Sequence, residues 1–162
     1  MRMARAQAKL LSRRALRARL ARLAKRGQRA VLTSGCYDLL HVGHLRSFEA
    51  ARRHGDLLVV GVNRDKRVRE LKGPGRPIVP ERQRAELVAG LGVVDFVVLF
   101  GGDDAAALIR ELRPAVYCKG AEYRRRRIPE QDAIESIGGR FRLLRQVPGV
   151  RSSQLIARAS KR

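Results

Sequence analysis

Apolar and polar positions divide this chain into short apolar runs separated by stretches in which apolar residues recur every three or four positions. The runs AVLTS (30–34), DLLVVGVN (56–63), VDFVVLF (94–100), AVYCKG (115–120) and FRLLR (141–145) predict five strands. Between them, HVGHLRSFEAARRHG, ending at Gly55, PERQRAELVAGLG (80–92), AALIRELR, a segment around Glu130 to Ile137, and SSQLIARAS predict helices. An earlier helix over 12–27 is marked by Ser12 as N-cap, by Leu16, Leu20 and Leu23 at i, i+4 and i+7, and by Gly27 where a terminating glycine belongs. Residues 1–11 are expected to form a loose basic tail, with one domain over 12–162.

Strands that are apolar throughout are buried on both faces, which predicts a parallel sheet covered by helices, a doubly wound α/β domain. Ligands of such sheets bind beyond the carboxyl ends of the strands, where strand order reverses. The segments following the five strands are GCYDLLHVGH, NRDKRVRELKGPGRP, GGDD, KGAEY and PGVRSS, and they carry most of the chain's distinctive chemistry. A length of 162 residues fits one full core. No run reaches the roughly 18 apolar residues of a spanning helix, so no membrane role is expected. Cys36 and Cys118 form no C-x-x-C pair, which argues against a zinc knuckle or a disulfide scaffold and for a reducing, cytoplasmic setting.

The formal charge of +21 points first to nucleic acid. Its distribution weakens that reading: 30 Arg and 6 Lys are spread over the whole chain, with one local run at Arg124 to Arg127, and aromatics at 4% are too few for stacking platforms. Nucleic acid is therefore not the expected partner. The first 37 residues lack Asp and Glu, as a transit peptide would. The capping and periodicity of 12–27 favour a helix integral to the fold.

In HVGH, His41 and His44 stand three apart at a helix start, so both rings project from one face toward the end that favours an anion. Gly43 removes a side chain where a ligand must come close. Together these make a phosphate cradle. Zinc ligation would need a third ligand, and the remaining histidine, His54, lies ten residues on along the same helix. A plain structural role, or general base chemistry for one imidazole, are the other readings. Ser152 and Ser153 open the last helix, as simple caps or as partners of a pyrophosphate. Lys72 and Arg76 in LKGPGRP, and Lys119 with Gly120, add cations near the same sheet edge.

GCYDLLHVGH, VNRDKRVRELKGPGRPI, KGAEY and RSSQLI, in that order, resemble the cytidylyltransferase-like nucleotidyltransferases, and within them most closely the D-glycero-β-D-manno-heptose 1-phosphate adenylyltransferases. The similarity runs from about Ser12 to Ala159. It implies a Rossmann-like five-stranded domain of the H-x-G-H type that transfers AMP from ATP to a sugar 1-phosphate. By the resemblance, His41, His44 and Lys72 carry catalysis. The backbone at Gly35, Cys36 and Tyr37, together with Gly43, Arg76, Lys119, Gly120, Ser152 and Ser153, binds the nucleotide. Asp38, Asn63 and Lys119 face the acceptor. Mg²⁺ or another divalent ion is held mainly by substrate phosphates; Asp38 is a candidate to orient the ion or the sugar phosphate, and spacing leaves Asp103 and Asp104 open beside it as metal contacts. A separate sugar kinase upstream and a homodimer are implied as well.

Departures from the family pattern fall on Ser34, Tyr37, Ala121, Glu122 and Arg151. They spare the phosphate-binding residues and bear on the acceptor and the base. The nearest rival is glycerol 3-phosphate cytidylyl transfer, whose Arg-Thr pair is replaced here by Gln146 and Val147. A basic nucleic-acid-binding protein on the same fold is the rival from another class.

Overall fold

A computed structural model of the chain describes residues 6–145 and 152–159. Its strands are β1 (Ala30–Gly35), β2 (Leu57–Asn63), β3 (Phe96–Phe100), β4 (Val116–Gly120) and β5 (Arg140–Leu144). They form one sheet in the order β3-β2-β1-β4-β5, and every pairing is parallel. The helices are α1 (Ala6–Lys9), α2 (Arg13–Ala24), α3 (Val42–Arg52), α4 (Asp65–Lys72), α5 (Glu81–Ala89), α6 (Ala106–Leu112), α7 (Pro129–Ser136) and α8 (Ser152–Ala159).

Side chains alternate across each strand, so neighbouring residues of β1 serve opposite cores. Ala30 and Leu32 join Leu16 and Leu20 of α2, Leu108, Ile109 and Leu112 of α6, and Ile134 of α7 on one face. Val31 joins Phe48 and Ala51 of α3 and Ala85, Val88 and Ala89 of α5 on the other. The doubly wound architecture read from the apolar runs is the one observed. After β3 the chain crosses to the far side of β1, so the segments leaving β1 and β4 diverge and open a crevice at the strand ends.

Ser12 caps α2, its hydroxyl accepting from the Ala15 amide at 3.2 Å, and Leu16 and Leu20 bury one face of the helix. Three local features differ from the sequence reading. Residues 6–11 are docked rather than loose: α1 lies against α5, Leu10 bridges to Val97, and the Leu11 amide donates to the Val97 carbonyl at 3.0 Å. Since β3 is an edge strand, its unpaired backbone groups offer this segment partners. The segment after β2 contains a full helix, α4, before the glycine-rich loop; only Val68 of it is buried, so its periodicity is faint in sequence. At the opposite edge, β5 is not apolar throughout; Arg140 and Arg142 are exposed and Leu144 is buried.

Candidate active site

The crevice at the carboxyl ends of the strands is a cleft of about 830 Å³. Its wall includes each residue assigned above to catalysis, nucleotide binding or the acceptor, from Gly35 through Ser153. Their surroundings differ widely.

His41 is the N-cap of α3, with extended backbone, and no side chain caps the helix there. The first turn of α3 therefore turns amide groups and the positive end of its dipole toward the cleft. His44 sits one turn on, and the two imidazoles stack with centroids 3.8 Å apart and planes 20° from parallel. Tyr37 packs edge-on against His44, with centroids 5.3 Å apart. Burial lowers the basicity of both imidazoles, and the neighbouring His41 lowers His44 further, to a pKa of about 4. Both rings are thus neutral at pH 7, and each offers an N–H donor. Their Nδ1 atoms are buried and have no hydrogen-bond partner among the described residues. Buried polar atoms are rarely left unpaired unless a site requires it.

The turn before α3 is tight. Tyr37 has φ 49°, and a Cβ on Gly35 would come within 2.9 Å of the Tyr37 ring. Glycine at 35 thus lets Tyr37 fold back under the cleft and buttress His44.

Asp38 lines the cleft and is also tied into the protein. Its carboxylate is buried; Oδ2 accepts from Arg76 Nε at 2.5 Å, and Oδ1 accepts from the Ile78 and Val79 amides at 2.8 and 3.0 Å. Both oxygens are engaged with the protein, so Asp38 ties the loop after α4 to the first post-strand turn. Arg76 is engaged in the same tie. Lys72, the last residue of α4, is exposed at the cleft with no ion pair among the described residues.

Asn63 ends β2, and its amide donates to Cys36 Sγ at 3.6 Å. Lys119 lies between Glu130, 3.2 Å from Oε1, and the Tyr117 hydroxyl at 3.3 Å. Burial pulls its pKa down, but Tyr117, Glu130 and Tyr123 outweigh that and leave it above the usual lysine value. The Tyr117 hydroxyl also shares a 2.7 Å hydrogen bond with Ser34 Oγ, and burial raises its pKa to about 12. A buried polar chain from Ser34 to Glu130 therefore underlies the β1/β4 crevice. Ser152 Oγ donates to the Leu39 carbonyl at 3.1 Å, bringing the start of α8 against the β1 turn, and the exposed Ser153 follows.

Arg84 escaped the sequence reading. It is fully buried, and its guanidinium donates to the carbonyls of Cys36, Asn63 (2.8 Å) and Val79 (2.8 Å) and to the Asp65 carboxylate (2.7 Å). One side chain thus joins the segments following β1 and β2, the start of α4 and the loop before α5. The available signal was an arginine beside Ala85 on the buried stripe of α5, where an apolar residue belongs.

Among the described residues no three His, Cys, Asp or Glu side chains gather as a metal site, and no helix is long and apolar enough to cross a membrane. Asp103 lies 3.6 Å from Arg67, and Asp104 accepts from the Ala106 amide at 2.7 Å as a local cap.

Stacked neutral imidazoles at an uncapped helix start stand with lysine and serine from other elements in one cleft of a doubly wound sheet. The cytidylyltransferase-like family model matches residues 32–157, and the chain belongs to this family of nucleotidyltransferases. Among curated relatives, the bifunctional protein HldE of Syntrophotalea carbinolica is 45% identical over 134 residues, 83% of this chain and 27% of that protein. The bifunctional protein HldE of Geotalea uraniireducens is 47% identical over 131 residues, 81% of this chain and 27% of that protein. The chain thus spans about a quarter of these relatives' length. A lipopolysaccharide core biosynthesis protein from Thermoplasma volcanium superposes with a TM-score of 0.61 at 28% identity, over 74% of this chain and 97% of that one.

Proposed function

We propose that this protein transfers AMP from ATP to D-glycero-β-D-manno-heptose 1-phosphate, forming ADP-heptose and releasing pyrophosphate. The observation that carries the phosphoryl chemistry is the stacked pair of neutral histidines at the uncapped start of α3. The sugar and the base rest on the motif resemblance and on the HldE relatives.

In this reading an oxygen of the sugar phosphate attacks the α-phosphorus in line, and the bond to the pyrophosphate oxygen breaks. A phosphate monoester is already largely dianionic at neutral pH, so the nucleophile needs no base. The enzyme supplies position and charge stabilisation. His41 and His44 donate N–H groups to the triphosphate as charge develops. Lys72 neutralises phosphate charge, and Ser152 and Ser153 receive the pyrophosphate at the start of α8. Gly35, Cys36, Tyr37, Gly43 and Gly120 let the nucleotide approach the backbone, and Asn63 and Lys119 face the acceptor. A divalent cation such as Mg²⁺, when bound, neutralises triphosphate charge; with Asp38 engaged elsewhere, the residues present fit an ion held mainly by phosphate oxygens. The acceptor comes from a sugar kinase, and the reaction belongs in the cytoplasm with the enzyme as a homodimer.

The test is pyrophosphate release with ATP, CTP, GTP or UTP, each with Mg²⁺ and heptose 1-phosphate, glycerol 3-phosphate or no acceptor. Release that requires ATP and heptose 1-phosphate, and falls at least 100-fold in His44→Ala, is expected. Preference for CTP with glycerol 3-phosphate would keep the chemistry and replace the substrates. Silence with every pair would remove the transferase reading.

A further inference from the structure

Six cationic side chains line the cleft: Arg67, Lys72, Arg76, Lys119, Arg126 and Arg127. Four are paired with carboxylates of the chain. Arg67 meets Glu70 and Asp103, Arg76 meets Asp38, Lys119 meets Glu130, and Arg127 meets Asp132 and Glu135. Among the described residues, Lys72 and Arg126 alone of the six have no carboxylate partner. They come from different parts of the fold, Lys72 from the end of α4 and Arg126 from the segment between β4 and α7.

The Arg126 guanidinium lies over the Tyr123 ring, 5.3 Å from its centroid, while Lys119 approaches the same ring at 5.2 Å. Cation–π contact restrains a long side chain without neutralising it. A guanidinium held this way keeps its donors for a bidentate anion, which phosphate oxygens match. The reaction proposed above brings two anions into one cleft, a triphosphate and a phosphate monoester. The triphosphate is already provided for by α3, α8 and Lys72. We infer that Arg126, oriented by Tyr123, binds the phosphate of the acceptor and that the arginine run at 124–127 contributes this subsite to the cleft. The assignment rests on the transferase reading for the presence of two anions, but a phosphate monoester is its ligand whichever alcohol the monoester carries.

The test is calorimetric binding, which does not need turnover. The wild type, Arg126→Ala, Arg126→Lys and Tyr123→Ala are titrated with a non-hydrolysable ATP analogue. Heptose 1-phosphate and glycerol 3-phosphate follow, each in the presence of the analogue. Affinity for the bound monoester is expected to fall at least tenfold in Arg126→Ala and to recover only in part in Arg126→Lys, with analogue affinity within twofold of wild type. Tyr123→Ala is expected to show a smaller loss of the same kind. Unchanged monoester affinity in Arg126→Ala, equal losses for analogue and monoester, or no monoester binding to the wild type would each overturn the inference. Binding of glycerol 3-phosphate alone, lost in Arg126→Ala, would uphold it while removing the heptose reading. Arg126 is exposed, so its variants are expected to fold, and a thermal melt within a few degrees of wild type verifies this.

Discussion

His44 shows how burial, reinforced by a neighbouring imidazole, sets a chemical role. In an open chain it titrates near 6.5, and in the fold at about 4. Between those values the unfolded chain holds a proton that the native one does not. Stability is therefore complete above about pH 6.5 and falls as pH drops toward 4, by roughly 3 kcal/mol at the end of that window. Urea melts across the window should show this slope in the wild type and lose most of it in His44→Asn, whose side chain does not titrate. An equally steep slope in the variant would mean that other groups govern it. The spacing H-x-x-H and the glycine between were legible from sequence. The stacking of the rings and their missing Nδ1 partners were not, because both depend on how the first turn of α3 packs in the fold.

Among elements, the ties between post-strand segments matter most. Strand ends bring the right residues to one edge, but their loops are polar and need fastening. Arg84 fastens two of them to each other and to the loop before α5, and Asp38 fastens the loop of Arg76. Removing one partner of a buried charged network costs about 3 to 5 kcal/mol. Arg84→Met is expected to lower stability by that order, measured by denaturant melts. Asp38→Asn should keep most of the fold, because an amide oxygen still accepts from the Ile78 and Val79 amides, yet weaken the hold on Arg76. Its expected signature is a several-fold rise in KM for the nucleotide, with a smaller change in kcat. An unaltered KM would show that the position of this loop is immaterial to nucleotide binding. From sequence, Asp38 reads as a ligand because it stands in the richest motif; its partners lie 38 or more residues away and appear only when α5 packs.

At the scale of the whole molecule, the docked segment 6–11 extends the sheet's protection past its β3 edge. Deleting residues 1–11 should lower the thermal midpoint by several degrees, through loss of the Leu11 amide bond to Val97 and of apolar cover. The KM values should stay unchanged, since none of the described residues 6–11 lines the cleft. A deletion without effect on the melt would return the segment to the loose tail that its composition describes. What the sequence by itself determined is the doubly wound class, the five strands, and the gathering of GCYDLLHVGH, LKGPGRP, KGAEY and the serine pair of α8 at one edge. Those follow from periodicity and from the rule that parallel strands present their following loops together. The tertiary structure decided which charges are spent. Lys119 and Arg76 read alike as free cations, and Asp38 as a free carboxylate, until packing brings each one its partner. Pairing depends on contacts between residues distant in the chain, and local pattern carries no record of them.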